Sequence, residues 1–157
     1  MTNTLPTRET ILAQLDGFPE ELRRLVLAES SQEDLMRPAS DGGWGVVEIL
    51  AHLRDWEEIH LERAHLIVEE DQPHLPSYDD ALWAIERDYR AQDPCETFDQ
   101  FAELRRQLVE FLSELPPETW QQTGEHSAFG IVTLQWLANH ICEHDQEHLQ
   151  QALDALT

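Results

Sequence analysis

"VVEILAHLRDWEEIHLERAHLIVEE", residues 46–70, decides what this chain can fold into. On a wheel of about 100° per residue, Val46, Ile49, Leu53, Trp56, Ala64 and Ile67 fall on one continuous apolar stripe. That is the pattern of a long helix with one face in a core. Working outward, the same period recurs on both sides. "TRETILAQLDGFPEELRRLVLAES" (7–30) sets Leu12, Leu15, Leu22, Leu25 and Val26 near helical spacing, with Gly17 and Pro19 predicting a kink or a restart. A loop with a short helical turn over 31–36 links it to the second helix.

Beyond residue 70, "DQPHLPSYDD" ends the second helix, and Ser77 is the expected cap of a shorter one running to Arg90. Pro94 breaks the chain again. The third long helix, within "TFDQFAELRRQLVEFLSEL", carries Phe98, Phe101, Leu104, Leu108, Phe111 and Leu112, and the Pro116–Pro117 pair stops it. The fourth starts near Ile131 or Thr133 and runs to about Leu156. No convincing alternating strand and no repeat appears. The expected fold is therefore all-α: one domain over residues 1–157, an antiparallel-type four-helix bundle with short helices in the long connections. Helices two and four are expected to be neighbours. A sheet of three or more strands would contradict this.

Charge narrows the function. Acidic residues number 32 against 10 basic, for a formal net charge of −22, so phosphate backbones and anionic membranes are repelled. No nucleic-acid or membrane partner is expected. All ten basic residues are Arg, which excludes a Schiff-base lysine and a Walker-type phosphate loop. Cys95 and Cys142 make no CxxC. With no signal-like segment and no run of about 18 apolar residues, the chain reads as cytoplasmic.

Histidines carry the remaining chemistry. His140, His144 and His148 recur every four residues on helix four, and each four-residue step overshoots one helical turn by about 40°. By period His148 falls in the apolar stripe, His144 on its flank and His140 on the solvated side. A histidine pair four apart on one face can hold a transition metal, but a third ligand must come from another helix. Helix two supplies His52 and His60, with His65 pointing outward; spacing slightly favours His60. His74 and His126 sit in loops and carry no pattern.

"WGVVEILAHLRDWE" (44–57) together with "TLQWLANHICEHDQEHLQQ" (133–151) resembles the DinB-like (YfiT-like) family of metal-binding four-helix bundles. The likeness also takes in Phe101–Arg105. It implies three metal ligands, at His52, His144 and His148, and leaves His60 as the competitor of His52. Gly45 stands where the family usually has Ser or Thr, at the expected cap of helix two. The family also implies a homodimer and a small-molecule substrate, its members including thiol-dependent S-transferases and isomerases beside presumed hydrolases.

Three neutral imidazoles suit a divalent transition metal such as Zn, Ni, Co or Fe and leave a position open. That position can take water, or the thiolate of a low-molecular-weight thiol. The expected activity is a metal-dependent S-transferase or hydrolase; the alternative is a non-catalytic, stress-response bundle braced by metal. A polar pocket opening onto the metal would favour the enzyme, and a dry, closed site the brace. Asp145, inside the stripe of helix four, is either a partner of a ligand imidazole or an inward carboxylate bonded to an Arg of helix two or three. Glu48 and Glu57 are weaker partners, and Trp44, Trp56 and Trp136 are expected in core and pocket walls.

Overall fold

The computed structural model describes residues 4–157. Its helices are α1 (Arg8–Leu22), α2 (Gln32–Met36), α3 (Val46–Glu69), α4 (Asp80–Glu86), α5 (Pro94–Ser113) and α6 (Leu134–Ala155), and its strands β1 (His74–Leu75), β2 (Thr123–His126) and β3 (Gly130–Thr133). Side chains start the helices. Thr7 Oγ1 accepts from Thr10 N, Asp93 Oδ1 from Glu96 N and Thr133 Oγ1 from Trp136 N, each satisfying a donor left over in the first turn. α4 is capped by Asp79 rather than Ser77 and ends at Glu86. A separate 3₁₀ turn, Tyr89–Ala91, follows after Asp88 adopts a left-handed conformation.

Gly45 caps α3 because nothing larger fits. A Cβ there would lie 2.1 Å from the Arg37 carbonyl oxygen. Glu48 does not reach a histidine: its Oε1 accepts the Gly45 N–H at 3.2 Å and so closes the start of α3.

The first helix departs from its expected break. α1 continues through Gly17 and Pro19 without a restart, and a π-helical turn follows over Arg23–Leu27, closed by Ala28 N to Arg23 O at 2.9 Å. Pro19 has no N–H for the Leu15 carbonyl. Arg105 of α5 takes that carbonyl instead, at 3.1 Å. The buried face is Ile11, Leu15, Phe18, Leu22 and Val26, while Leu25 is exposed.

α1, α3, α5 and α6 form the bundle. α3 lies against α5 and α6, and α1 closes the other two sides, so the neighbours expected as helices two and four are in contact. Two apolar clusters fill it. One gathers Ile11 and Leu15 with Ala64, Ile67, Leu108, Leu137 and Ile141, and the other Phe18 and Leu22 with Ile49, Leu53, Phe101 and Leu149. Following each helix from one cluster to the other gives its direction. α1 and α6 run one way and α3 and α5 the other, so the adjacent pairs α1–α6 and α3–α5 are parallel. The antiparallel expectation is corrected here. Short loops would have forced antiparallel neighbours, but residues 70–93 are long enough to cross the bundle and start α5 beside the start of α3.

A three-stranded sheet in the connections corrects the strand-free expectation and meets the condition set above against the fold, but its strands lie in the links and the four-helix bundle stands. β1 pairs parallel with β2 and β2 antiparallel with β3, in the order β1-β2-β3. The strands are two and four residues long, too short for alternation to show in the sequence. They tie the α3–α5 crossover to the α5–α6 link and leave the bundle core helical. No helix among the described residues is long and apolar enough to cross a membrane.

Between the two apolar clusters lies a buried polar layer. Arg105 donates to Glu57 of α3, to Asp145 of α6 at 2.8 and 2.9 Å, and to Leu15 O of α1. One α5 side chain thereby touches the other three bundle helices.

Candidate metal centre

α3 and α6 cross with His52 facing His144 and His148. The Nε2 atoms of His52 and His148 are 3.1 Å apart, as are those of His148 and His144, and one ring nitrogen from each of the three lies within 4.8 Å of the others. The triad named from the resemblance is thus brought together. His60, which spacing favoured, is not part of it. Its Nδ1 bonds Glu57 Oε1 on its own helix at 3.3 Å, and its ring packs edge-on against His144. Period failed here because α3 is buried on most of its circumference, by the crossover as well as by α5 and α6, so the centre of its stripe is not the face that meets His144 and His148.

The donor set fits a divalent transition metal. A metal bonded at about 2.0–2.1 Å to three nitrogens in tetrahedral array would hold them roughly 3.4 Å apart; the two 3.1 Å spacings need a slight opening, and the His52–His144 pair lies within 4.8 Å. His148 Nδ1 donates to Gln151 Oε1 at 2.8 Å, which fixes its tautomer and turns the Nε2 lone pair inward. Burial, then the neighbouring His148, lowers His52 to about 4, and burial with the surrounding histidines lowers His144 well below the usual range. At neutral pH both are the neutral ligands that such a metal requires. The Nδ1 atoms of His52 and His144 have no hydrogen-bond partner among the described residues.

Asp145 therefore does not orient a ligand imidazole. It is the inward carboxylate of the alternative reading, bonded to the arginine of helix three. Burial pushes its carboxyl up to about 6 against the pull of Arg105. Glu57 is as deeply buried, but Arg105 and the His60 N–H together outweigh that and hold it down to about 2. Trp44 tilts against His52 with ring centroids 5.1 Å apart, and Trp56 stands beside both His60 and His144.

A cavity of about 270 Å³ opens beside His144, walled by Trp56, His60, Arg63, Tyr78, His126 and His140. Two of these histidines were misplaced by the sequence. His140 is half-buried and stacks on Trp136 at 4.7 Å instead of facing solvent freely. His126, which has no sequence pattern, is the last residue of β2, and its Nδ1 accepts the Ala128 N–H at 3.0 Å. Only strand pairing brings it to the cavity, and no helical period could have found it.

The family model of the DinB superfamily matches residues 7–152. A protein of Oceanobacillus iheyensis, named as a presumed metal-dependent hydrolase, is 23% identical over 147 residues, covering 93% of this chain and 83% of its own. YfiT of Bacillus subtilis, named likewise, is 25% identical over 136 residues, covering 86% and 76%. The solved structure of that YfiT, which has an unusual four-helix bundle topology, superposes with a TM-score of 0.87 at 21% identity, over 99% of this chain and 90% of its own. From the match along nearly its whole length, this chain belongs to the DinB superfamily.

Proposed function

We propose that the chain is a metal-dependent hydrolase acting on a small molecule, with the metal held by Nε2 of His52, His144 and His148. The observation that carries this reading is the cavity that reaches His144, with His60, Arg63 and His126 set among largely apolar walls: a pocket opening at one of the three histidines is what an enzyme needs and a metal brace does not. When bound, a divalent metal such as Zn, Ni, Co or Fe supplies Lewis acidity and activates water. The chain's own residues do the rest. His52 of α3 with His144 and His148 of α6 would hold the ion, and His144 also lines the pocket. The Glu57 carboxylate accepts the His60 Nδ1 proton in a hydrogen bond, so His60 Nε2 is left as an acceptor on a ring that lines the cavity. In this reading it takes a proton from an attacking water. Trp56 and Tyr78 keep bulk water from one wall.

The test is metal analysis of the purified protein, then a screen of small esters, amides and lactones with and without added thiols. Hydrolysis that needs the metal and no thiol is expected. Turnover only with a thiol would replace the hydrolase by an S-transferase, and tight metal binding with no turnover of either kind would leave the brace.

A further inference from the structure

Arg63 is an arginine with too little to do. It is 5% exposed, yet among the described residues no carboxylate forms an ion pair with it. Of the five N–H groups of a guanidinium, one on Nη2 donates to Pro76 O, at 2.6 Å; Nε is buried with no acceptor. The guanidinium lies 5.3 Å from the centre of the Trp56 ring and 6.0 Å from that of Tyr78, which fixes its plane without satisfying its donors. A buried cation without a counter-ion is costly, in a chain with 32 acidic residues available to pair with it. By contrast Arg105, equally buried, is matched by two carboxylates.

Arg63 lines the cavity that reaches His144, and a second donor faces the same space. His126 Nδ1 accepts from the backbone N–H groups of Ala128 and Phe129, at 3.0 and 3.3 Å, so its proton sits on Nε2. Asp80, the carboxylate among the lining residues, accepts the Trp56 indole N–H on Oδ2 at 3.0 Å and makes no ion pair with Arg63, so the guanidinium is not neutralised from within the cavity. We infer that Arg63 and His126 form an oxyanion subsite, and that the substrate carries a carboxylate or phosphate group bound there while its reacting bond lies at the His144 side. This deepens the hydrolase reading and rests on it for the reaction, but the subsite itself needs no metal. A net charge of −22 repels anions from the surface at large, so an anion held by this protein must be held by a local device.

The test is calorimetric titration of the full-length, metal-loaded protein with acetate and with inorganic phosphate at constant ionic strength, repeated on Arg63→Met, Arg63→Lys and His52→Ala. Saturable binding of at least one anion is expected in the wild type, and which of the two binds tells a carboxylate site from a phosphate site. Arg63→Met should weaken it by about tenfold or more, the worth of hydrogen bonds to a charged group. Arg63→Lys, which keeps the charge and a donor for Pro76 O but loses the fork, should weaken it less, and it serves if the Met variant does not fold. His52→Ala, which removes a metal ligand outside the cavity, should still bind the anion. Binding that disappears in His52→Ala but survives in Arg63→Met would put the anion on the metal and overturn the subsite while sparing the metal centre. No saturable binding in the wild type would overturn it as well.

Discussion

Burial sets the protonation of the histidine cluster, and protonation ties stability to pH. His52 is lowered from 6.5 to about 4 by burial and by His148, and His144 is lowered in the same sense. Between those values an unfolded chain takes up protons that the folded one refuses. Their contribution is complete above the ordinary histidine pKa and drains away as pH falls from about 6.5 toward 4. Asp145, pushed up to about 6, opposes this, because its folded carboxyl binds a proton that the unfolded one releases. In metal-stripped protein the urea midpoint is expected to fall between pH 7 and pH 5, and to fall less in His52→Ala, which has one such group fewer. An equal fall in both would mean that His52 is not the group responsible. Metal-loaded protein should lose stability more steeply in this window, since protons then compete for the ligand nitrogens.

At the scale of elements, the cap of α3 gives a sharp test. Gly45→Ala would drive a Cβ against the Arg37 carbonyl, so a loss of about 1–3 kcal/mol, as in an overpacked core, should come on top of the roughly 0.5–1 kcal/mol of a poorer cap. Chemical denaturation measures it. The contrast shows how far sequence carries. That Gly45 caps the helix is legible in local pattern; that it is required is set by Arg37, which approaches through the fold. The long helices were readable because each repeats its stripe over several turns, and Pro116–Pro117 ends α5 as expected. α1 was harder. Its proline is tolerated only because an arginine from another helix takes the freed carbonyl, a contact 90 residues away in sequence. The strands and the parallel pairs were hidden for the same reason, since both are created by links whose paths no period encodes. In the metal centre, His144 and His148 were visible from their spacing. Period slightly favoured His60 over His52, and His52 came from the resemblance alone.

For the whole molecule, Arg105 is the contact that joins four helices across the polar layer. Arg105→Met would leave Glu57 and Asp145 buried without a counter-charge, and a loss of about 3–5 kcal/mol is expected by denaturant titration. Replacing all three residues by Met or Leu should recover most of that loss, because the penalty belongs to the stranded charges. A triple variant no better than the single would show that the layer is worth more than its apolar substitute. Net charge acts at the same scale. The homodimer expected from the family resemblance must form against −22 on each copy, so salt should tighten it. Light scattering across a salt series is expected to show the dimer growing with ionic strength, and a monomer at every salt concentration would contradict it.

If one metal is held by His52, His144 and His148, metal content per chain across five alanine variants will show it. His52→Ala, His144→Ala and His148→Ala are each expected to lose tightly bound metal, because two imidazoles leave the ion under-coordinated. His60→Ala, whose ring bonds Glu57, and His140→Ala, whose ring stacks on Trp136, are expected to keep a metal content close to that of the wild type. A His60→Ala protein that comes out empty beside a His52→Ala protein that comes out full would contradict the account.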